Sequence, residues 1–502
     1  MSDTHYDLLV IGGGINGAGI ARDAAGRGAK VMLVEKDDLA SHTSSSSTKL
    51  VHGGLRYLEH YEFRLVRESL IERERLLRSA PHIIWPMRFV LPHDAGLRPK
   101  WMLRLGLFMY DNLGGREILP GTQTLNLRSA PHDAILQDRL ETGFEYSDCW
   151  VEDARLVVLN CVDAKQRGAD IRTRTECVDL VRGEEHWNAA LRDNVSGAEE
   201  RITASKVVNA AGPWVDAVLG KAQPEKAHQN LRLVKGSHLI FPRLFAGDHA
   251  YIFQNRDNRI IFAIPYERDF TLIGTTDQGF SGDPSGIDIS PEESTYLCDA
   301  ANEYLRTAIS PADAVASYAG VRPLYDDKSA DNSTVTRDYV FELDEGEAGQ
   351  KAPAILSIFG GKITTFRKLA EHALQKLGGL GGEPWTAEAT LPGGDIDPLH
   401  FGDFVADAHG AYPWLSDAAI LRFARAYGTR LFDLLGDAKS EEDMGEHFGG
   451  NLYERELEYL AKEEFARAGD DVLWRRSKLS LHLDEAAKAR VAAWFAARSD
   501  AA

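Results

Sequence analysis

The stretch Tyr6 to Glu35 constrains this chain more than any other. A short apolar run, Asp7-Leu8-Leu9-Val10-Ile11, is followed at once by Gly12-Gly13-Gly14-Ile15-Asn16-Gly17. Ala18 to Gly28 then holds helical spacing, and a second apolar run, Lys30-Val31-Met32-Leu33-Val34, ends on Glu35. Strand, glycine turn, helix and strand, with an acid about 20 residues beyond the turn, form the dinucleotide-binding pattern. Gly12 permits the tight turn, Gly14 lets a pyrophosphate approach the backbone, and Gly17 lets helix and strand pack closely. The N–H groups freed at the helix start face the phosphates. Glu35 suits a ribose 2′-hydroxyl, and its charge opposes a 2′-phosphate. A glycine-rich βαβ unit that binds nothing is the competing reading.

A chain of 502 residues exceeds what one core usually organises, so two or three domains are expected. With 44% apolar and 26% charged residues the composition is that of a globular protein. The net charge of −19 argues against a nucleic-acid binder, because a phosphate backbone attracts a basic face. Cys149, Cys161, Cys177 and Cys298 lack CxxC spacing and suggest neither a metal site nor a disulfide framework. Met1 to His5 are polar and lack the pattern of a secretory signal. No uncharged run reaches the 18 or more residues of a spanning helix, so a protein that is soluble or lies on a membrane is expected.

After Glu35 comes Ser41-His42-Thr43-Ser44-Ser45-Ser46-Ser47-Thr48-Lys49. Composition alone reads as a flexible linker. Its position favours hydroxyls and amides packed against a cofactor, since it leaves the acid-bearing strand and enters Leu50-Val51-His52-Gly53-Gly54-Leu55-Arg56-Tyr57-Leu58-Glu59. Further distinctive stretches are Gly143 to Trp150, Asn209 to Trp214, Lys235 to His238, Gly274 to Asp277, Gly320 to Leu324 and Phe359 to Thr365. In this order and over essentially the whole length, they resemble the FAD-dependent, quinone-linked glycerol-3-phosphate dehydrogenases.

The resemblance implies an α/β fold: a Rossmann-like FAD-binding domain of the two-dinucleotide, D-amino-acid-oxidase-like kind, an antiparallel β substrate domain and a C-terminal helical domain. It places FAD-binding segments at about 1–50, 145–220 and 340–390, a substrate domain at about 51–144 and 221–339, and the helical domain at 391–502. It implies cofactor contacts from Gly12, Gly13, Gly14, Asn16, Gly17, Glu35, Thr43, Ser44, Ser45, Lys49, Leu50, Gly212, Gly361, Lys362, Ile363 and Thr364. The implied substrate is glycerol 3-phosphate and the implied acceptor a membrane quinone. A homodimer, peripheral on the inner face of the cell membrane and free of nucleic acid, completes the expectation.

Local patterns refine this picture. Tyr61 to Ala80 has helical spacing and Pro81 ends it. Pro81 to Tyr110 mixes Trp85, Trp101, Met102, Leu105 and Phe108 with basic residues around one acid, Asp94. That mixture suggests an interfacial membrane contact, against the alternative of a core segment with solvated charges. Ala210-Ala211-Gly212 fits either a close approach to the cofactor or a turn with Pro213 opening a helix. Leu231 to Phe280 is strand-rich, Glu292 to Ala308 has helical pattern, and Gly378 to Gly394 marks a linker. Asp484 is placed to cap the last helix, whose Val491, Trp494 and Phe495 share a face.

Oxidising a secondary alcohol needs a hydride acceptor, a base and, for a phosphorylated substrate, cations. Flavin supplies the first, and arginine is the best bidentate phosphate partner. The resemblance sets Arg322 and Lys362 beside the reacting carbinol and flavin, Arg56 and its neighbours on the phosphate, and His52, Tyr57, Arg337 and Thr276 around the substrate. His52 has a suitable pKa for the base, about 6.5, and Lys362 could serve if nearby cations lower its own. A peroxide-forming oxidase, a flavin amino-acid oxidase and a scaffold with structural FAD are the competing functions.

Overall fold

The computed structural model describes residues 4–94, 98–223, 230–257, 259–326, 338–346 and 352–499. At its centre is the strand Thr4–Ile11, flanked in parallel by Val31–Val34 and Glu199–Asn209. Asp170–Arg172 extends the sheet beyond Val31–Val34, and Ile355–Phe359 extends it beyond Glu199–Asn209, both in parallel. Val340–Asp344 closes that edge in antiparallel register. The four residues Val31 to Val34 are all buried, as a parallel strand covered on both faces requires. Helices Ile15–Gly26, Asp153–Gln166 and Phe366–Leu377 cover one face in a core that includes Leu8, Val10, Val158 and Leu369. The β-meander read around Arg182 and Gly197 is present as Thr175–Arg182, Trp187–Asp193 and Glu199–Asn209.

A second, ten-stranded sheet stands beside the first. It is antiparallel except where Ala250–Gln254 runs parallel to Ile84–His93. Leu231–Pro242 lies between Ala316–Tyr325 and Phe270–Gly274, and this register sets His238 opposite both Tyr318 and Gly274, and Val234 opposite Arg322. Thr142–Val151 pairs with Ile84–His93 along its whole length, so the Gly143 to Trp150 stretch is a strand of this sheet.

The structure divides the segment Pro81 to Tyr110, which the sequence suggested as one interfacial contact. Ile84–His93 is an interior strand; Ile83 and Ile84 are fully buried, and Trp85 packs against Trp150 under the Arg425 guanidinium. Pro86 and Pro92 hide this strand in the sequence, because proline argues against a central strand. Helix Lys100–Leu113 keeps the exposed apolar side chains: Trp101 and Phe108 are each 65% accessible and Leu105 52%. No helix among the described residues is long and apolar enough to cross a membrane.

Within the glycine-rich linker the chain returns to the first helix, where Trp385 donates to the carbonyl of Asp23 and takes the place a Gly26 side chain would need. Residues beyond it form a helical unit around its own core of Phe423, Tyr427, Leu457 and Val491. Asp484 caps the last helix, Glu485–Ser499, by accepting the N–H of Ala487 at 2.8 Å.

Candidate active site

The glycine turn works by close approach. Gly12 has φ +115°, and a Cβ there would lie 2.5 Å from the carbonyl oxygen of Ala210. A Cβ on Gly17 would meet the Gly12 carbonyl at 1.9 Å. Two strands and a helix therefore converge only because these positions are glycine. The resulting groove runs past Gly14, Glu35, His42, Ser44 and Gly212. Ser44 Oγ accepts the Ile15 N–H at 3.0 Å at the helix start. Glu35 accepts from Gly13 N–H at 2.7 Å and from Asp37 N–H at 2.9 Å. Burial raises its pKa, and the Asp37 and Gly13 N–H groups act in the opposite sense. Asn16 donates to the Gly360 carbonyl at 3.1 Å, tying the helix start to the Gly360-Gly361 turn. These groups fit an adenine dinucleotide: backbone N–H groups at a helix start, a carboxylate at the end of the second strand, and a turn whose Gly12 and Gly17 leave no room for a Cβ.

A second cavity of ≈ 520 Å³ shares Ile15, Thr43, Ser44, Gly360 and Gly361 with the groove. His52, Arg56, Tyr57, Arg322 and Lys362 all line it. They arrive from far apart in the chain. His52 follows the short strand Leu50–Val51, whose continuation is held by the Thr364 hydroxyl, 3.2 Å from the His52 N–H. Lys362 Nζ stands 3.9 Å from the centre of the Tyr57 ring. Gly54, at φ +76°, is needed there, since its Cβ would lie 2.2 Å from that ring. Arg322 meets Asp277 Oδ1 at 3.2 Å and Thr275 Oγ1 at 3.4 Å, leaving a guanidinium that is a third exposed to the cavity.

Burial lowers the pKa of His52 from its ordinary 6.5; Asp148 raises it, and Lys362 and Arg73 lower it. The imidazole is thus neutral near pH 7 and able to accept a proton. Asp148 belongs to a buried set beneath it, bonded to Arg73 at 2.7 Å and to the Tyr110 hydroxyl at 2.8 Å. Sequence inspection left these three out because nothing in their spacing joins residues 73, 110 and 148.

His238 ends the distinctive Lys235 to His238 stretch, and its place in the second sheet brings it to the cavity. It lines the cavity, stacks on Tyr318 with ring centres 4.7 Å apart, and shares a hydrogen bond of 3.0 Å with Thr48. Burial, then Lys49 and Arg322, hold its pKa well below the ordinary value.

Other expected residues are placed differently. The Lys49 ammonium is bonded to Asp153 at 3.0 Å and to the Ser45 carbonyl at 3.0 Å, beneath the serine loop. Leu50 is a core side chain, and neither residue lines the groove or the cavity. The Ser45 hydroxyl donates to the His42 carbonyl. Thr276 reaches the cavity wall, while its buried hydroxyl donates to Glu293 at 2.7 Å and accepts from Ser237 N–H at 3.0 Å. Ile363 and Thr364 line the cavity. Arg337 lies outside the described residues.

A groove that fits a dinucleotide, beside a cationic, histidine-bearing cavity, has the layout of a flavin-type oxidoreductase. The chain belongs to the family of FAD dependent oxidoreductases, which it matches over residues 7–349, and residues 384–499 match the C-terminal domain of alpha-glycerophosphate oxidase. It is an FAD-dependent enzyme. A D-erythritol 1-phosphate dehydrogenase of Brucella abortus is 51% identical over 97% of both chains. A glycerol-3-phosphate dehydrogenase of Pseudomonas aeruginosa is also 51% identical, over 97% of this chain and 94% of its own. The solved glycerol-3-phosphate dehydrogenase from Bacillus halodurans, complexed with FAD, superimposes with a TM-score of 0.74 at 28% identity, covering 99% of this chain and 95% of that one.

Lys49 and Asp153 are 1% and 0% exposed, so removing one leaves the other as an uncompensated buried charge. Lys49→Met should therefore cost about 3–5 kcal/mol of unfolding free energy. Adding Asp153→Asn should recover most of it. Denaturant unfolding of the two variants measures this, and a Lys49→Met protein as stable as the parent would contradict the assignment.

Proposed function

We propose that the protein oxidises sn-glycerol 3-phosphate to dihydroxyacetone phosphate and passes the electrons to a membrane quinone. The convergence of Arg56, Arg322, Lys362 and a neutral His52 at the cavity shared with the nucleotide groove carries this reading. Bound FAD supplies the acceptor for the hydride from C2. The His52 imidazole takes the proton of the C2 hydroxyl. Arg56 holds the phosphate dianion, with Arg337 around the same substrate, and the Arg322 guanidinium and Lys362 ammonium stabilise negative charge developing on the C2 oxygen. The backbone at Thr276 completes the substrate wall. Gly12 to Gly17, Glu35, Thr43, Ser44, Gly212 and Gly361 to Thr364 hold the cofactor, and Lys49 with Ser45 shapes their loop from beneath.

A second reading has a specific support. The erythritol-phosphate and glycerol-phosphate enzymes compared above are equally identical to this chain, at 51%. Both substrates are phosphorylated polyols, and the cation set suits either. Anaerobic bleaching of the yellow holoenzyme decides between them: glycerol 3-phosphate is expected to bleach it at lower concentration than D-erythritol 1-phosphate. Bleaching by the erythritol ester alone would reverse the substrate assignment, and bleaching by neither would remove the polyol-phosphate reading. Stoichiometric peroxide in air would replace the quinone by oxygen.

The base assignment has its own pH signature. Because burial depresses the His52 pKa, kcat/KM should hold constant with falling pH until below about 6.5, the ordinary histidine value. His52→Ala should lower kcat/KM by about 10²–10⁴-fold. An acid limb centred above the ordinary histidine value would exclude His52 as the base.

Helix Lys100–Leu113 supports a seat on an anionic membrane at the cytoplasmic face. Exposed Trp101, Met102, Leu105 and Phe108 accompany exposed Lys100 and Arg104 on this helix. Trp101→Glu with Phe108→Glu should abolish co-sedimentation with phosphatidylglycerol vesicles while leaving substrate bleaching in solution intact. Undiminished co-sedimentation would exclude this helix as the contact.

A further inference from the structure

The loop that leaves Glu35 has two working faces. Toward the groove it presents Ser41, His42, Thr43 and Ser44. On the opposite side it drives Asp38, 2% exposed, into the junction with the C-terminal unit. There Arg475 Nε meets Asp38 at 2.5 Å and Arg476 Nη2 at 2.9 Å, with Arg174 at 3.7 Å. Asp471 holds Arg174 at 2.7 Å and Arg475 at 2.5 Å; Arg476 Nη1 also donates to Asp38, and its Nε and Nη2 donate to the Glu464 carbonyl. Asp471, Arg475 and Arg476 share one turn, Asp471–Arg476, of the C-terminal helical unit.

The cluster lies one residue from the cofactor side of the loop. Asp37 precedes Asp38, and its N–H donates to the Glu35 carboxylate at 2.9 Å. The Asp37 carbonyl accepts from the Arg174 N–H at 2.8 Å. The N–H that bonds Glu35 thus belongs to the residue next to Asp38, whose buried carboxylate is held by the guanidiniums of Arg475 and Arg476. Buried ion pairs are poor devices for stability because desolvation offsets their attraction, and fixing geometry is their better-attested use.

We propose that Asp38 and Arg476 are positioning residues for Glu35, and that docking of the C-terminal helical unit and binding of FAD are thereby energetically linked. The inference rests on the groove being the FAD site. Linkage is reciprocal: whatever the docked unit adds to FAD affinity, FAD returns to the docking of that unit.

The test uses the full chain, stripped of flavin and titrated with FAD. Arg476→Met should weaken FAD binding about tenfold, within the usual range of coupling between sites. Because the two residues act through one contact, adding Asp38→Asn should weaken binding little further, whereas independent losses of packing would multiply. Hydrogen exchange of the parent protein gives a second readout that needs no variant: FAD should slow exchange at residues 471–481, which do not line the groove. Affinity unchanged in Arg476→Met together with unchanged exchange at 471–481 would overturn the inference alone. Failure of the parent chain to take up FAD would overturn the groove assignment and this inference with it.

Discussion

Everything in this molecule depends on one close approach. The Gly12 carbonyl, the first turn of helix Ile15–Gly26 and the Ala210-Ala211 turn meet at distances that leave no room for a Cβ on Gly12 or Gly17. That contact brings the ends of two parallel strands, Thr4–Ile11 and Glu199–Asn209, against one helix start. Ligands bind at such carboxyl ends of an open parallel sheet, because unpaired N–H groups and the helix dipole point outward there. The nucleotide groove is a direct consequence of this steric constraint.

The second sheet takes its place from the first. Its strands Leu231–Pro242 and Ala316–Tyr325 run side by side so that Arg322 and His238 face the cavity next to the Gly360-Gly361 turn. The same turn is tied by Asn16 to the first helix. One peptide corner thus belongs to both cavities, which makes the groove and the cationic cavity neighbours. The neutral state of His52 is a product of this enclosure, since burial disfavours the imidazolium and Lys362 and Arg73 add to that.

Much of this is legible in the sequence itself. The glycine turn and Glu35, the helix Phe63–Ser79, the meander and the capped last helix all have local signatures, and local signatures survive folding. The His52, Arg56, Arg322 and Lys362 set was legible through motif resemblance, and the cavity does bring these four together. The Ile84–His93 strand was not legible, because Pro86 and Pro92 contradict a pattern that only pairing with Thr142–Val151 overrides. The resemblance implies Lys49 as a cofactor contact, yet its ammonium turns inward to Asp153, a partner that lies 104 positions away.

The sequence by itself determined the dinucleotide turn, the order of elements and the identity of the charged residues, since each depends on neighbours a few positions away. Only the tertiary structure decided which charges meet. It set Asp148 and Arg73 beneath His52, His238 beside Thr48, and Asp38 between Arg475 and Arg476. Those pairings join residues up to 438 positions apart. Spacing along a chain carries no record of them, because strand register and packing, rather than local propensity, fix the distances over which charges and hydrogen bonds act.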